Sequence, residues 1–227
     1  MSATRRDFLR ASLAAPLVFE LAGCARAPAW FFDALQAMRK EGKPGLVFRV
    51  PADAKRRCSL GHELAWLVER TDVAGLEVTL QAVLLCMEDA ALRRWIDGAR
   101  DGDDVILVDG EGQAQAGAVI DRDKDFATQA ADLLEGTGLA RLRARASTEA
   151  APALLLRYRE SSDPAAEPAI RALAPPVPRL PYGASLAAGS MSACKENPAC
   201  PAGMGCGACG MAIVTPRSQA FVKFLAV

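Results

Sequence analysis

The fold is decided by a short apolar stretch, GKPGLVFRV, at residues 42–50. Its glycines and proline end a short amphipathic helix that is predicted around residues 34–38. Residues 46–50 then form a compact apolar run, which is typical of a buried strand. Pro51 and Asp53 open a second helix, in which Leu60, Leu64, Leu67 and Val68 fall on one face. The stretch therefore predicts a strand set between two helices.

The same alternation continues toward the C-terminus. Residues 72–81 are ambiguous between helix and strand. The pattern predicts strands at residues 82–86, 104–109 and 113–120, a tight turn at 110–112, and helices at 89–99 and 123–134, with Gly136 ending the last one. Residues 151–158 suit a final helix or strand. Two parallel crossovers followed by a hairpin and a covering helix give an α/β sandwich with a small mixed sheet.

This element order resembles the thioredoxin-like fold over residues 28–136, including GKPGLVF at 42–48 and VILVDGEGQ at 105–113. The resemblance implies a Cys-x-x-Cys pair at the start of the helix after the first strand. In residues 51–62 there is one cysteine, Cys58, about two turns into the helix. The family also has a proline before the third strand, where this chain has residues 102–104, Gly-Asp-Asp. We therefore expect a thioredoxin-like domain at 28–158 that lacks the disulfide-exchange centre.

Cys58 and His62 remain as a possible reactive pair. They are one helical turn apart, and the basic residues 55–57 would favour a thiolate at Cys58. The pair suits a reactive single thiol or a two-ligand metal patch; the alternative is a half-buried cysteine beside a solvated histidine. Cys86, at the end of a predicted strand, is expected to form either a disulfide with Cys58 or part of the core.

The N-terminus has the order of an export signal: two arginines at Arg5 and Arg6, an apolar stretch at 11–19, and the sequence Leu-Ala-Gly-Cys ending at Cys24. Arg-Arg followed by Phe-Leu resembles the twin-arginine (Tat) consensus, and Leu-Ala-Gly-Cys resembles the bacterial lipobox. The resemblance implies removal of residues 1–23 and lipid attachment at Cys24. The alternative is a basic amphipathic helix that stays on the protein. The Tat likeness implies folding, often around a cofactor, before export.

Composition and charge narrow the function classes. The chain has 227 residues, which suits one domain with appendages. Removing residues 1–23 takes away three arginines and two acidic residues, and leaves 24 basic against 25 acidic side chains. A nearly neutral chain gives no electrostatic reason to expect nucleic acid as a partner. The expected location is the periplasmic side of a bacterial membrane, where lipid on Cys24 binds the membrane surface.

The C-terminal part changes in composition. Residues 159–190 are predicted to be an extended proline-rich linker, and residues 191–227 form an irregular cysteine-rich segment. Four cysteines fall within 16 residues among glycines and prolines: Cys194, Cys200, Cys206 and Cys209. Such a segment needs a crosslink to hold a shape. Four thiolates suit a tetrahedral metal site for zinc or an iron–sulfur cluster.

The cysteine-rich segment has two other interpretations. An oxidising periplasm would convert residues 58, 86, 194, 200, 206 and 209 into two or three structural disulfides. Cys206 and Cys209 would alternatively form the exchanging pair of a thiol–disulfide oxidoreductase. Cys206-Gly-Ala-Cys209 after Cys200 is also similar to the cluster loop of plant-type and adrenodoxin-like ferredoxins, which take a fourth cysteine from much farther downstream.

We expect an exported, lipid-anchored protein with a redox-inactive thioredoxin-like domain and a metal-binding tail. It would handle metal or serve as a scaffold for an unidentified envelope protein, and we do not expect it to be an enzyme. The apolar residues 212–214 and 221–225 are predicted to be short strands that dock on the central sheet, or else an exposed strand that binds a partner.

Overall fold

The computed structural model describes residues 27–174 and 179–184, without the side chains of residues 54, 55, 58, 62, 65 and 136–141. The export signal and the cysteine-rich segment lie outside the described residues. The described elements, in chain order, are α1 (Ala29–Glu41), β1 (Gly45–Val50), α2 (Ala54–Glu69), α3 (Val73–Gln81), β2 (Val83–Glu88), α4 (Asp89–Trp95), β3 (Val105–Val108), β4 (Ala114–Ala118), α5 (Phe126–Ala146), α6 (Ala150–Ser161), a 3-10 turn (Pro164–Ala166) and α7 (Glu167–Ala172).

The four strands form one mixed sheet in the order β2-β1-β3-β4. β1 pairs in parallel with β2, while β3 runs antiparallel to both β1 and β4. The predicted α/β class with a small mixed sheet is therefore confirmed. The expected second parallel crossover is wrong, because β3 returns beside β1 in the opposite direction. The hairpin after β3 was predicted in the right place.

Alternate residues of β1 point to opposite faces of the sheet. Leu46, Phe48 and Val50 face a core that includes Leu64 and Leu67 of α2. Val47 faces a second core, to which α1 contributes buried side chains at positions 31, 34, 35 and 38. Because both faces of β1 are covered, its apolar residues follow one another in the sequence instead of alternating with polar ones.

Short polar contacts fix the helix ends. Asp53, Asp72 and Asp125 each accept a hydrogen bond from a backbone amide in the first turn of the helix that follows, as N-caps do. Arg70 forms ion pairs with both Asp72 and Asp125. One guanidinium therefore links the end of α2 to the starts of α3 and α5. The ambiguous residues 72–81 contain a helix, α3.

The helical part of the chain extends farther than predicted. α5 continues through Gly136 to Ala146, so the predicted end at Gly136 is wrong. α6 includes residues 159–161, and a 3-10 turn and α7 follow, so the region predicted as a linker begins with helices. The reason is tertiary packing. Leu142, Leu155 and Ile170 are buried together in a third cluster against α3.

A buried ion pair joins two of these helices. Glu77 of α3 and Arg159 of α6 are in contact, and their side chains are 8% and 7% exposed. Arg159 is also 3.6 Å from the exposed carboxylate of Glu135. α6 is thus held against α3 by a charged contact as well as by apolar packing. Among the described helices, none has the length and apolar character needed to cross a membrane.

Candidate functional site

The structure describes few of the predicted site residues. Cys58 and His62 lie one turn apart in α2, as predicted, but their side chains are outside the description. The predicted lipidation site Cys24 and the four predicted metal ligands also lie outside the described residues. Those assignments stay predictions. Within the described part of the chain, no group of three or more histidine, cysteine or acidic residues is arranged to hold a metal ion.

Cys86 is predicted to lie in the core or to form a disulfide with Cys58, and the structure describes its side chain. It lies in β2 opposite Phe48 of β1, is 0% exposed, and is a free thiol. Burial in apolar surroundings raises the pKa of the Cys86 thiol to about 12, because a buried thiolate would lack solvation. The core interpretation is confirmed, and the alternative of a Cys58–Cys86 disulfide is wrong.

The C-terminal end of β1 is the place where the resemblance would put an exchange centre, and Arg49 occupies it. The Arg49 side chain is 12% exposed and forms an ion pair with Asp89 at the start of α4. Its Nε donates to the Asp103 carbonyl at 2.5 Å, and its Nη2 donates to the Arg100 carbonyl at 2.6 Å. This guanidinium therefore ties β1, α4 and the loop before β3 together.

The start of α2 is held by a carboxylate. Asp53 Oδ1 accepts from the Arg56 amide at 2.8 Å, which satisfies one of the free amides of the first turn. Arg57 Nε donates to the Pro51 carbonyl at 2.9 Å, closing the turn between β1 and the helix. The positive end of the helix dipole thus faces an anion that belongs to the chain. In an exchange protein, this end of the helix stabilises a thiolate instead.

A groove of about 210 Å³ lies beside this helix start, between α2 and the connection from β4 to α5. Its charged lining has both signs: Arg49, Arg56, Arg122 and Lys124 face Glu63, Asp104 and Asp121. Burial, with the nearby Asp125 carboxylate, raises the pKa of Glu63. None of the described side chains that line the groove is a thiol or an imidazole. The described lining of the groove therefore favours neither anions nor cations by charge, and it includes the hydroxyl of Ser59.

The loop before β3 is also built around acidic side chains rather than a proline. Asp104 Oδ2 accepts from the Ile120 amide at 3.0 Å, at the end of β4. A Cβ on Gly117 would lie 1.9 Å from Asp103 Oδ2, so a larger residue at this strand position would require the Asp103 side chain to move. The peptide bonds of the described residues are all trans. Residues 103–104 therefore lock the loop onto β4.

Residues 179–184 form a strap along the outer edge of β2. The Tyr182 amide donates to the Leu84 carbonyl and the Cys86 amide donates to the Tyr182 carbonyl, both at 2.8 Å. Arg179 forms a 2.6 Å ion pair with Glu41 at the end of α1. Gly183 has a φ of 72°, and a Cβ there would lie 2.4 Å from the Cys86 carbonyl oxygen. These contacts hold residues 179–184 against β2 and the end of α1.

The Arg49 contacts and the strap were not predicted from the sequence. An arginine inside the apolar run at 46–50 was the available signal for the first, because a charge in a central strand needs partners. For the strap, the available signal was a tyrosine and a glycine after a proline-rich stretch.

No family model matches the chain, and neither the curated proteins nor the solved structures contain a significant match to it.

Proposed function

We propose that this is an exported, lipid-anchored protein whose body is a thioredoxin-like domain without disulfide-exchange activity. Its C-terminal segment binds zinc or an iron–sulfur cluster through Cys194, Cys200, Cys206 and Cys209. The protein acts in metal handling, or as a scaffold for an envelope partner, on the periplasmic side of the membrane. Lipid on Cys24 holds it there.

The sheet arrangement supports the thioredoxin-like assignment. A parallel β1–β2 pair, a β3–β4 hairpin beside β1, and α5 packed on the sheet follow the strand, helix, strand, hairpin and helix order that carries the resemblance. The helices after residue 146 extend the body beyond the part that carries the resemblance.

A single observation carries the functional part of the proposal: Arg49 and Asp53 occupy the end of the sheet where an exchange centre would lie. An exchange reaction needs an accessible thiolate of low pKa and a resolving thiol. Cys86, by contrast, is buried and has a raised pKa. Cys86 is therefore unsuited to chemistry or metal binding, which leaves Cys58 and the cysteines of the C-terminal segment.

The spacing of the tail cysteines supports metal binding. Cys206 and Cys209 are separated by Gly-Ala, which lets two sulfurs chelate one ion, and two further thiolates complete a tetrahedral site. A twin-arginine signal fits this chemistry, because a metal loaded in the cytoplasm protects its thiolate ligands from oxidation after export.

The proposal is tested by measuring metal and activity on the same preparation. We expect the full chain, purified without chelator, to contain zinc or iron in a fixed ratio to protein and to show no insulin reduction. Cys206→Ser should lose most of the metal, because three thiolates hold the ion more weakly than four. Cys86→Ala is the matched control, since it removes a cysteine from the core and should leave the metal content unchanged.

Two results would overturn the proposal. Metal-free protein that reduces insulin, with the activity lost in Cys206→Ser, would make the chain an oxidoreductase with a Cys206/Cys209 exchange pair. Metal-free protein with inert disulfides and no activity would make the tail a structural element.

A further inference from the structure

The first turn of α1 carries an exposed aromatic cluster. The ring of Phe31 is buried, and around it lie the rings of Trp30, Phe32 and Trp95, with centroids 6.1, 6.3 and 6.5 Å away. Phe32 is 50% exposed, and Trp30 and Trp95 are partly exposed. We call Trp30, Phe32 and Trp95 the aromatic end of α1. These rings form a patch where α1 begins and α4 ends.

Large exposed apolar side chains are few in the described part of the chain: Phe32, Trp66 and Val119. Trp66 lies on α2, which packs against the sheet face opposite to α1. Phe32 differs from the other two because it is only eight residues from Cys24. Its exposure therefore coincides with the proposed point of membrane attachment.

The chain between the proposed lipid and α1 is short. Five residue steps separate Cys24 from Ala29, the first residue of the helix. An extended chain spans at most about 3.3–3.6 Å per residue, so roughly 18 Å is the longest possible separation. A lipid on Cys24 therefore keeps the first turn of α1 within this distance of its point of attachment to the bilayer.

The charges around the patch suit the headgroup layer. The Arg94 guanidinium lies 5.0 Å from the centroid of the Trp95 ring. Arg93 is next to it and pairs with Asp89 and Asp101. Asp33, in the same turn as Phe32, is exposed and opposes deep insertion. Aromatic rings beside charged groups of both signs are suited to the membrane–water interface rather than to the hydrocarbon core.

We infer that the aromatic end of α1 is a membrane-contact surface that rests on the interface of the bilayer carrying the Cys24 anchor. The inference rests on the proposed lipid attachment. The aromatic rings add apolar contact area to the attachment that the lipid on Cys24 provides. The surface also fixes the orientation of the body, since α1 has one end at the membrane.

The aromatic end of α1 lies beside the strap. Trp30 is near Gly183, since a Cβ on Gly183 would lie 3.0 Å from the Trp30 ring. The first turn of α1 and residues 179–184 are therefore neighbours at one corner of the described structure.

Depth-dependent fluorescence quenching tests the contact. The chain has three tryptophans, so Trp66→Phe with Trp95→Phe leaves Trp30 as the reporter, and Trp30→Phe with Trp95→Phe leaves Trp66 as the matched control. Both full-length variants are reconstituted into vesicles of phosphatidylethanolamine and phosphatidylglycerol with brominated acyl chains. We expect bromine to quench Trp30 several-fold more strongly than Trp66. Adding Phe32→Ser should bring the quenching of Trp30 down toward the Trp66 level.

Equal quenching of Trp30 and Trp66 would overturn the inference, as would quenching of Trp30 that Phe32→Ser leaves unchanged. Mass spectrometry of the same samples shows whether Cys24 carries lipid. It therefore separates failure of the contact surface from failure of the lipid anchor. Lipidated Cys24 with unquenched Trp30 refutes the contact surface alone. Unmodified Cys24 with quenched Trp30 refutes the lipid anchor and leaves the surface in place.

Discussion

Glu77→Ala is expected to lower the free energy of unfolding by about 3–5 kcal/mol, because it leaves the Arg159 guanidinium buried without its carboxylate. Both side chains are more than nine-tenths buried, and they join α3 to α6. Equilibrium unfolding in urea, followed by circular dichroism, measures the loss. The result also tests whether the helices after residue 146 belong to the body.

Glu135→Ala is the matched control. Glu135 lies 3.6 Å from the same guanidinium but is 51% exposed, so its removal should cost less than about 1 kcal/mol. Replacing both members of the buried pair, by Glu77→Leu with Arg159→Met, should recover most of the loss, since no unpaired charge then remains. Equal losses in Glu77→Ala and Glu135→Ala would show that α6 does not pack on α3 as described.

Phe48→Ala should destabilise the body by about 3–5 kcal/mol, the usual cost of removing a buried ring and leaving a cavity. Phe48 is 0% exposed in the central strand, and its ring stacks on Phe126 at a centroid distance of 5.5 Å. The substitution therefore removes a contact between the sheet and the start of α5. Urea unfolding measures this loss as well.

Phe32→Ala provides the same chemical change at a half-exposed position. It should shift the free energy of unfolding by less than about 1 kcal/mol, as surface substitutions usually do. If the two variants lost equal stability, Phe32 would be part of the core and its proposed role at the membrane would lose its basis.

Much of the sheet could be predicted from sequence because β1, β2 and β3 are largely buried apolar runs. The Asp-Gly-Glu-Gly turn between β3 and β4 also has strong local chemistry. The direction of β3 was harder to predict, since it depends on which edge of β1 the chain returns to. Periodicity carries no information about that choice.

The end of α5 shows why local signals failed elsewhere. A glycine costs a helix about 1 kcal/mol relative to alanine, so Gly136 was a reasonable end point. The burial of Leu142 against Leu155 and Ile170 outweighs that cost. These partners belong to α6 and α7, and the sequence near residue 136 gives no information about them.

The candidate site was predictable only as a set of residue types. The missing exchange pair follows directly from the sequence of residues 51–62. The contacts that Arg49 makes at this end of the sheet do not. Arg49 binds groups that are 40 to 54 positions away along the chain, and only the folded sheet brings them together.

X-ray absorption at the edge of the bound metal identifies the atoms that ligate it, and so tests metal binding by the C-terminal cysteines. We expect sulfur ligands only, with four sulfurs at about 2.3 Å for zinc. Cys206→Ser should replace one sulfur by oxygen or release the metal. A ligand shell dominated by nitrogen or oxygen in the unmodified chain, or a reduced chain that binds no metal, would contradict metal binding by Cys194, Cys200, Cys206 and Cys209.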